Sequence, residues 1–223
     1  MAAGLRPRPK GRLALAIWLV VSALLIAAPA HGQPPASHDP RVTGPLYLVG
    51  RSCGADRLAH EGEPLAKVQS CIWLYEFDML WETDATRTFG VAWVQATVKP
   101  LNGWCATKVS TEVALPDTVN RHGRAPTRDI STKTTDRVRV KLVADADNHA
   151  LQVGTIDQAF DLYRGSMKPA LANHGQTVRT TWTGQESDEL AFVTGAEISW
   201  QVLGTPEIRG GLGKMSFVKA SNC

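Results

Sequence analysis

Alternation of apolar and polar residues with a period of two runs through most of this chain and predicts β-strands. One long run carries a continuous stripe of large side chains on one face, made of Cys71, Trp73, Tyr75, Phe77, Met79 and Trp81. Because successive side chains on a strand point to opposite faces, the stripe predicts one long strand. We expect the stripe to be buried in a core, and an exposed stripe that stacks against sugar rings is the alternative.

The same pattern predicts further strands on both sides of the aromatic strand. They cover residues 45–51, 88–98, 104–115, 138–142, 151–156, 177–183, 190–203 and 214–219. The Asn102-Gly103 dipeptide is a hairpin signal, so residues 88–115 are predicted to form a β-hairpin. A bulge or bend is expected at Gly195.

Three segments do not follow this alternation. Residues 54–64 and 116–136 are polar and rich in turn-forming residues, and each predicts a loop. Residues 156–167 carry apolar residues at a helical spacing and predict one short helix.

Eight or nine strands with at most one short helix predict an all-β fold. We expect a single antiparallel β-sandwich over residues 45–223, with a closed barrel as the alternative. A jelly-roll topology and an immunoglobulin-like topology both stay open, although the cysteine and tryptophan spacing does not fit the immunoglobulin pattern well.

The N-terminal 30 residues have the organisation of a secretory signal peptide. Four basic residues precede an apolar run of 16 residues, 13–28, and Ala28-Pro29-Ala30 forms an A-x-A cleavage pattern. The run is shorter than the roughly 20 residues that span a bilayer, and a retained membrane anchor is the alternative. Residues 31–44 predict a flexible leader. The sequence therefore predicts a secreted, extracellular protein without a membrane contact after cleavage.

The net charge of the chain depends on whether the predicted signal peptide, residues 1–30, is counted. Residues 1–30 hold four of the 24 basic residues and none of the 21 acidic residues, so the rest of the chain has a formal charge of −1. A nearly neutral chain gives no electrostatic signal for a polyanion such as nucleic acid, and no nucleic-acid partner is expected.

All four cysteines, Cys53, Cys71, Cys105 and Cys223, lie beyond the predicted leader. An even number of cysteines in an oxidising compartment predicts two disulfides, and the spacing does not suit a metal site. Three pairings are possible. We favour Cys53–Cys71, which closes a short loop, together with Cys105–Cys223.

Motifs for catalysis are almost absent from the sequence. It contains no G-x-S-x-G, no H-E-x-x-H and no phosphate-binding loop. Asp145 and Asp147 have a spacing that suits calcium, but the EF-hand pattern fails and a hairpin turn is the better interpretation. Glu76 and Asp78 lie on one strand face, where an acid–base pair is conceivable and solvated surface is favoured. No metal or cofactor is predicted.

The 116–136 segment carries a cluster of basic residues, Arg121, His122, Arg124 and Arg128. As a candidate ligand loop it would recognise an anionic partner such as an acidic glycan or a protein surface. A mobile, solvated loop is the alternative interpretation.

These patterns favour a secreted, disulfide-stapled β-sandwich that acts as a non-catalytic binding protein or as a structural part of the cell exterior. A glycan or an extracellular protein is the expected partner. Two alternatives stay open, which are a secreted hydrolase with carboxylate chemistry and a secreted protease inhibitor that uses residues 116–136 as bait. The sequence does not indicate the specific ligand or the oligomeric state.

Overall fold

The computed structural model describes residues 15–17, 39–77, 86–145, 153–201, 204–220 and 223. These residues form 14 strands: β1 Leu15–Ile17, β2 Arg41–Thr43, β3 Leu46–His60, β4 Glu63–Phe77, β5 Arg87–Pro100, β6 Trp104–Ala114, β7 Val119–Ala125, β8 Ile130–Thr132, β9 Asp136–Asp145, β10 Val153–Leu162, β11 Gly165–Ala172, β12 Thr177–Glu186, β13 Leu190–Gln201 and β14 Arg209–Lys219. Within the described ranges there is no α-helix, only a 3₁₀ turn at Asn173–Gly175. The predicted all-β, antiparallel, sandwich-like fold is confirmed.

The strands form three antiparallel sheets. The central sheet has the order β3-β4-β5-β13-β7, the large sheet has the order β1-β14-β6-β12-β11-β8, and the small sheet has the order β2-β10-β9. The third sheet is an addition that the alternation pattern did not predict.

The central sheet lies between the other two. Even-numbered residues of its inner strands face the large sheet, where Thr194 contacts Thr111 and where Gly210 of β14 lies against Ile72 and Val94. Odd-numbered residues face the small sheet, where the Trp93 indole donates a hydrogen bond to Gln158. Because both faces are covered along much of their length, β4 and β5 are apolar on both sides.

The Asn102-Gly103 turn does not close a hairpin, so the predicted hairpin over residues 88–115 is wrong. Both turn residues have positive φ, 52° and 73°, and the Trp104 amide donates to the Leu101 carbonyl, as expected for a tight turn. However, β5 pairs with β4 and β13, whereas β6 pairs with β12 and β14. The turn carries the chain from the central sheet to the large sheet, since both strands have an apolar face to bury.

Three other local predictions are also wrong. Residues 54–64 are mostly strand, because β3 and β4 form a long hairpin that turns at Glu61 and Gly62. Residues 156–167 belong to β10 and β11 and not to a helix. Gly195 is not a bulge, since its register with Trp93 is regular and a side chain there would collide with the Trp93 ring.

The predicted 116–136 loop is largely built into sheets. Residues of β7 pair with β13 at one edge of the central sheet, and β8 pairs with β11 at one edge of the large sheet. Both strands are polar because they are edge strands, which explains why the alternation pattern missed them.

The N-terminal segment is described only in part. Leu15–Ile17, inside the predicted signal peptide, pair with Met215–Phe217 of β14, and removal of residues 1–30 would leave β14 as the edge of the large sheet. Arg41–Thr43 pair with β10, so the predicted flexible leader 31–44 is wrong at this point, where it is a strand of the small sheet. The rest of the signal peptide lies outside the described residues, and its cleavage stays a prediction. Among the described residues, no helix has the length and hydrophobicity to cross a membrane.

Two disulfides are present, and their pairing is the one that we favoured from the sequence. Cys53 and Cys71 are directly opposite each other on β3 and β4, with Cα atoms 4.1 Å apart. Cys105 of β6 is bonded to Cys223, with Cα atoms 6.1 Å apart. Such bonds are typical of proteins in an oxidising compartment.

Candidate functional site

The small sheet covers only one part of the odd-numbered face of the central sheet. We call this part the covered end and define it by Trp73, Tyr75 and Phe77 of β4 with Val91 and Trp93 of β5. All five side chains are buried, as expected for the aromatic stripe. Met79 and Trp81, the last two residues of the predicted stripe, lie outside the described residues.

One polar group at the covered end bonds directly to the small sheet. The Nε1 atom of Trp93 donates to Oε1 of Gln158 on β10 at 3.1 Å, with both side chains buried. Burial, with the Asp39 charge as a smaller cause, raises the pKa of Tyr75 to about 12, so the phenol stays neutral. This part of the face is therefore a core that joins the central and small sheets.

The other part of the same face is left uncovered by the residues that the structure describes, and it forms a groove of about 550 Å³. We call it the open end and define it by the groove residues Ala55, Asp56 and Arg57 of β3, Lys67, Val68 and Gln69 of β4, Thr97 and Lys99 of β5, and Glu189. The Cys53–Cys71 disulfide lies one row from it along the strands, at the boundary between the two ends. Seven of its nine lining residues are polar or charged, although most of the surface that faces the groove comes from their apolar atoms, and its floor is a hydrogen-bonded sheet.

The register of the sheet places three cations side by side in the open end. Arg57 is directly opposite Lys67, and Lys67 is directly opposite Lys99. All three side chains are exposed. Among the residues that the structure describes, none of the three is in an ion pair, although Asp56 and Glu189 line the same groove. We call these residues the cation row.

A second row of hydrogen-bonding side chains lies beside the cation row. Gln69 and Thr97 are opposite each other and half-buried. Both also line a small recess whose wall includes Gln95, which is 6% exposed. The Gln95 Oε1 atom has no hydrogen-bond partner among the residues that the structure describes. A buried carbonyl oxygen without a partner is uncommon and indicates a place where a bound group can donate a hydrogen bond.

The predicted ligand residues Arg121, His122, Arg124 and Arg128 do not form one surface. Arg121 donates to the Gly175 carbonyl on the side of the large sheet, whereas the ring of His122 contacts Ser199 on the opposite side of the central sheet. Arg124 is half-buried on β7 and Arg128 is exposed in the connection to β8. Their role in binding stays a prediction, and the structure offers them no common groove among its described residues.

The contact between Ser199 and His122 resembles a nucleophile with its base. The Ser199 Oγ atom lies 2.8 Å from Nε2 of His122. Ser199 is completely buried beneath Phe89 and β7, however, so that a substrate cannot reach its hydroxyl. The pair fixes the bulge at His122, where β7 has one residue more than β13.

The carboxylates singled out from the sequence are described only in part. Glu76 accepts a hydrogen bond from the exposed Tyr47 hydroxyl at 2.8 Å, and Asp145 ends β9. Asp78 and Asp147 lie outside the described residues. Within the described residues, no group of three or more histidine, cysteine, aspartate or glutamate side chains is placed to hold a metal ion.

Glu197 is a half-buried carboxylate that the sequence analysis did not consider. It accepts a hydrogen bond from the Asp145 amide at 2.8 Å and lies against Gly123, where a side chain would collide with it. Burial raises the pKa of Glu197, the Asp145 charge adds to this effect, and the hydrogen bond opposes it. Glu197 connects the central and small sheets at the covered end.

The sequence analysis also missed the cation row, because its members are separated along the chain. Arg57, Lys67 and Lys99 become neighbours only through strand register, and Arg57 lay within a predicted loop. No protein-family model matches the chain, and no curated protein matches it in sequence.

Proposed function

We propose that the protein is exported and acts as a non-catalytic binding protein, with the open end of the central sheet as its binding surface. The observation that carries this proposal is the groove itself, because a sheet face that is a sealed core at one end is left uncovered by the described residues at the other and carries charged side chains there. Ligands commonly bind in a concave site on a rigid scaffold, with a few polar side chains to orient them. A glycan or an extracellular protein segment is the partner class.

Export is supported by the two disulfides and by the predicted signal peptide. It is tested by recovering the protein from outside the cytoplasm and determining its N-terminal sequence and free thiols. We expect a chain that begins at His31 and has no free thiol. A recovered chain that still contains residues 1–30 would contradict this part of the proposal.

Binding at the groove is tested with glycan and protein arrays and a groove-filling variant. Thr97→Trp places an indole in the open end, and Val143→Trp places the same side chain at an exposed position of β9 as the control. We expect ligands of the native protein to be lost with Thr97→Trp and kept with Val143→Trp. Ligands that bind both variants equally would show that the groove is not the site.

The two alternatives have less support from the geometry. The bait-loop inhibitor needs an extended free segment, yet about half of residues 116–136 lies in strands β7 and β8, which pair within sheets. The hydrolase was expected to use Glu76, which lies beside Tyr47 at the protein surface, whereas the carboxylates that line the groove are Asp56 and Glu189. Release of products from an array glycan by the native protein would favour the hydrolase.

A further inference from the structure

The cation row places like charges where a sheet would ordinarily avoid them. Residues directly opposite each other on neighbouring strands have Cβ atoms about 5 Å apart, and like charges at such positions destabilise a sheet. Arg57, Lys67 and Lys99 occupy three neighbouring strands, so the repulsion between Arg57 and Lys67 is repeated between Lys67 and Lys99. Strand-forming residues without charge would fit the same positions better. A bound anion would remove the repulsion.

The row of Gln69 and Thr97 beside the cation row indicates which other chemical groups the ligand carries. Gln69 offers an amide and Thr97 offers a hydroxyl, which both donate and accept, and the Gln95 oxygen can only accept. An inorganic anion such as sulfate would satisfy the cations but would have no donor for the Gln95 oxygen. A ligand that carries both negative groups and hydroxyl groups suits both rows.

The lining of the groove and its position on the sheet argue against nucleic acid and acidic peptides as ligands. Its lining contains no aromatic ring on which nucleic-acid bases would stack. An acidic peptide would bind most readily along the main-chain edge of β3, by adding a strand. The groove instead lies on the sheet face and crosses three strands, from β3 to β5.

We propose that the open end binds an anionic polysaccharide, with its carboxylate or sulfate groups on the cation row and its sugar hydroxyls on Gln69, Thr97 and Gln95. The proposal rests on the proposed function and names the ligand class for the same groove. Lys67, as the middle cation, contacts the anionic group from the centre of the row. Glu189 and Asp56 at the rim restrict the position of the negative groups along the groove.

The test uses the protein recovered after export and four probes. Polygalacturonate carries carboxylates and dextran sulfate carries sulfates. Neutral dextran is the uncharged polysaccharide, and polyglutamate is the anionic polymer without sugar. Binding is measured by affinity electrophoresis and titration calorimetry at low and at higher salt. We expect at least one anionic polysaccharide to bind, more weakly as salt rises, and neutral dextran not to bind.

Variants that remove charges test whether the binding of anionic polysaccharide depends on the cation row. Lys67→Gln with Lys99→Gln removes two charges from the open end, and Lys141→Gln with Lys168→Gln removes two exposed charges from β9 and β11. Because charge-assisted hydrogen bonds are strong, we expect the first pair to weaken binding about tenfold or more and the second pair to leave it unchanged. The melting temperature of the first pair should equal or exceed that of the native protein, which excludes unfolding as the cause.

The other outcomes separate this inference from the proposed function. A neutral glycan that is lost with Thr97→Trp but kept with Lys67→Gln and Lys99→Gln would support the groove and overturn the anionic ligand. Equal binding of polyglutamate would overturn the polysaccharide, because charge alone would then suffice. Binding of anionic polysaccharide that both charge-changed proteins retain would overturn the cation row. Failure of both polyanions to bind would also overturn the inference.

Discussion

The covered end and the open end of one face of the central sheet differ in whether their polar and charged groups have partners. At the covered end the Trp93 indole has a partner in Gln158, and the aromatic stripe is sealed beneath the small sheet. At the open end a few residues along the same strands, the Gln95 oxygen has no partner and three cations lie side by side. The covered end is a sealed core, whereas the open end places like charges side by side, which costs stability.

The largest effect is expected from Trp93→Ala at the covered end. Loss of a completely buried indole removes the contact between the central and small sheets and should lower the free energy of unfolding by about 3–5 kcal/mol. Thr97→Ala, four residues further along β5 on the same face at the open end, should change it by less than about 0.5 kcal/mol. Urea unfolding of the two variants measures both values, and similar losses would contradict the distinction between the ends.

A smaller effect is expected from a matched pair of glutamine substitutions. Gln158→Leu leaves the buried Trp93 Nε1 atom without this acceptor and should cost about 1–3 kcal/mol. Gln95→Leu removes a buried carbonyl oxygen that already lacks a partner, so stability should stay the same or rise. Thermal melts of the two proteins test the difference. If Gln95→Leu is the more destabilising, the open end is ordinary core.

Glu197 gives the covered end a pH dependence. Its pKa in the folded protein is raised above 4.5, mainly by burial, so above pH 4.5 the folded state binds more protons than the unfolded state until the folded pKa is passed. The contribution of Glu197 to stability therefore falls as pH rises through this window. Glu197→Gln keeps the oxygen that accepts from the Asp145 amide and removes the charge.

We expect Glu197→Gln to melt at the same temperature as the native protein below pH 4.5 and at a higher temperature at pH 7. Glu61→Gln, at an exposed turn position, serves as the control and should follow the native protein at every pH. A melting curve series for Glu197→Gln that runs parallel to the native one from pH 4 to pH 8 would show that burial of the carboxylate has no effect.

The smallest effect is expected at the centre of the cation row. Lys67→Thr relieves repulsion from both Arg57 and Lys99 and introduces a β-branched residue, so it should raise the free energy of unfolding by about 0.2–1 kcal/mol. The gain should shrink at high salt, which screens the native repulsion. A loss of stability in this variant would mean that the row is not strained by its own charge.

The alternation of residues predicted the fold class and the burial of the stripe because both depend on period-two patterning within one segment. The sheet to which a strand belongs does not depend on this patterning, since β5 and β6 each have an apolar face that either sheet can cover. Edge strands lack an apolar face on much of their length, so β7 and the part of β3 from residue 54 onward were predicted as loops. The candidate site depends on register between strands, and nothing local in the sequence shows that Arg57, Lys67 and Lys99 meet.

Strand order also imposes a sequence of events on a chain that is made from its N-terminus. The two neighbours of β6 are β12 and β14, both of which are synthesised more than 60 residues after it. Until then both main-chain edges of β6 are unpaired, and Cys105 cannot form its disulfide before Cys223 is synthesised. Assembly of the large sheet is therefore a late step, which can begin only once β12 and β14 have been made.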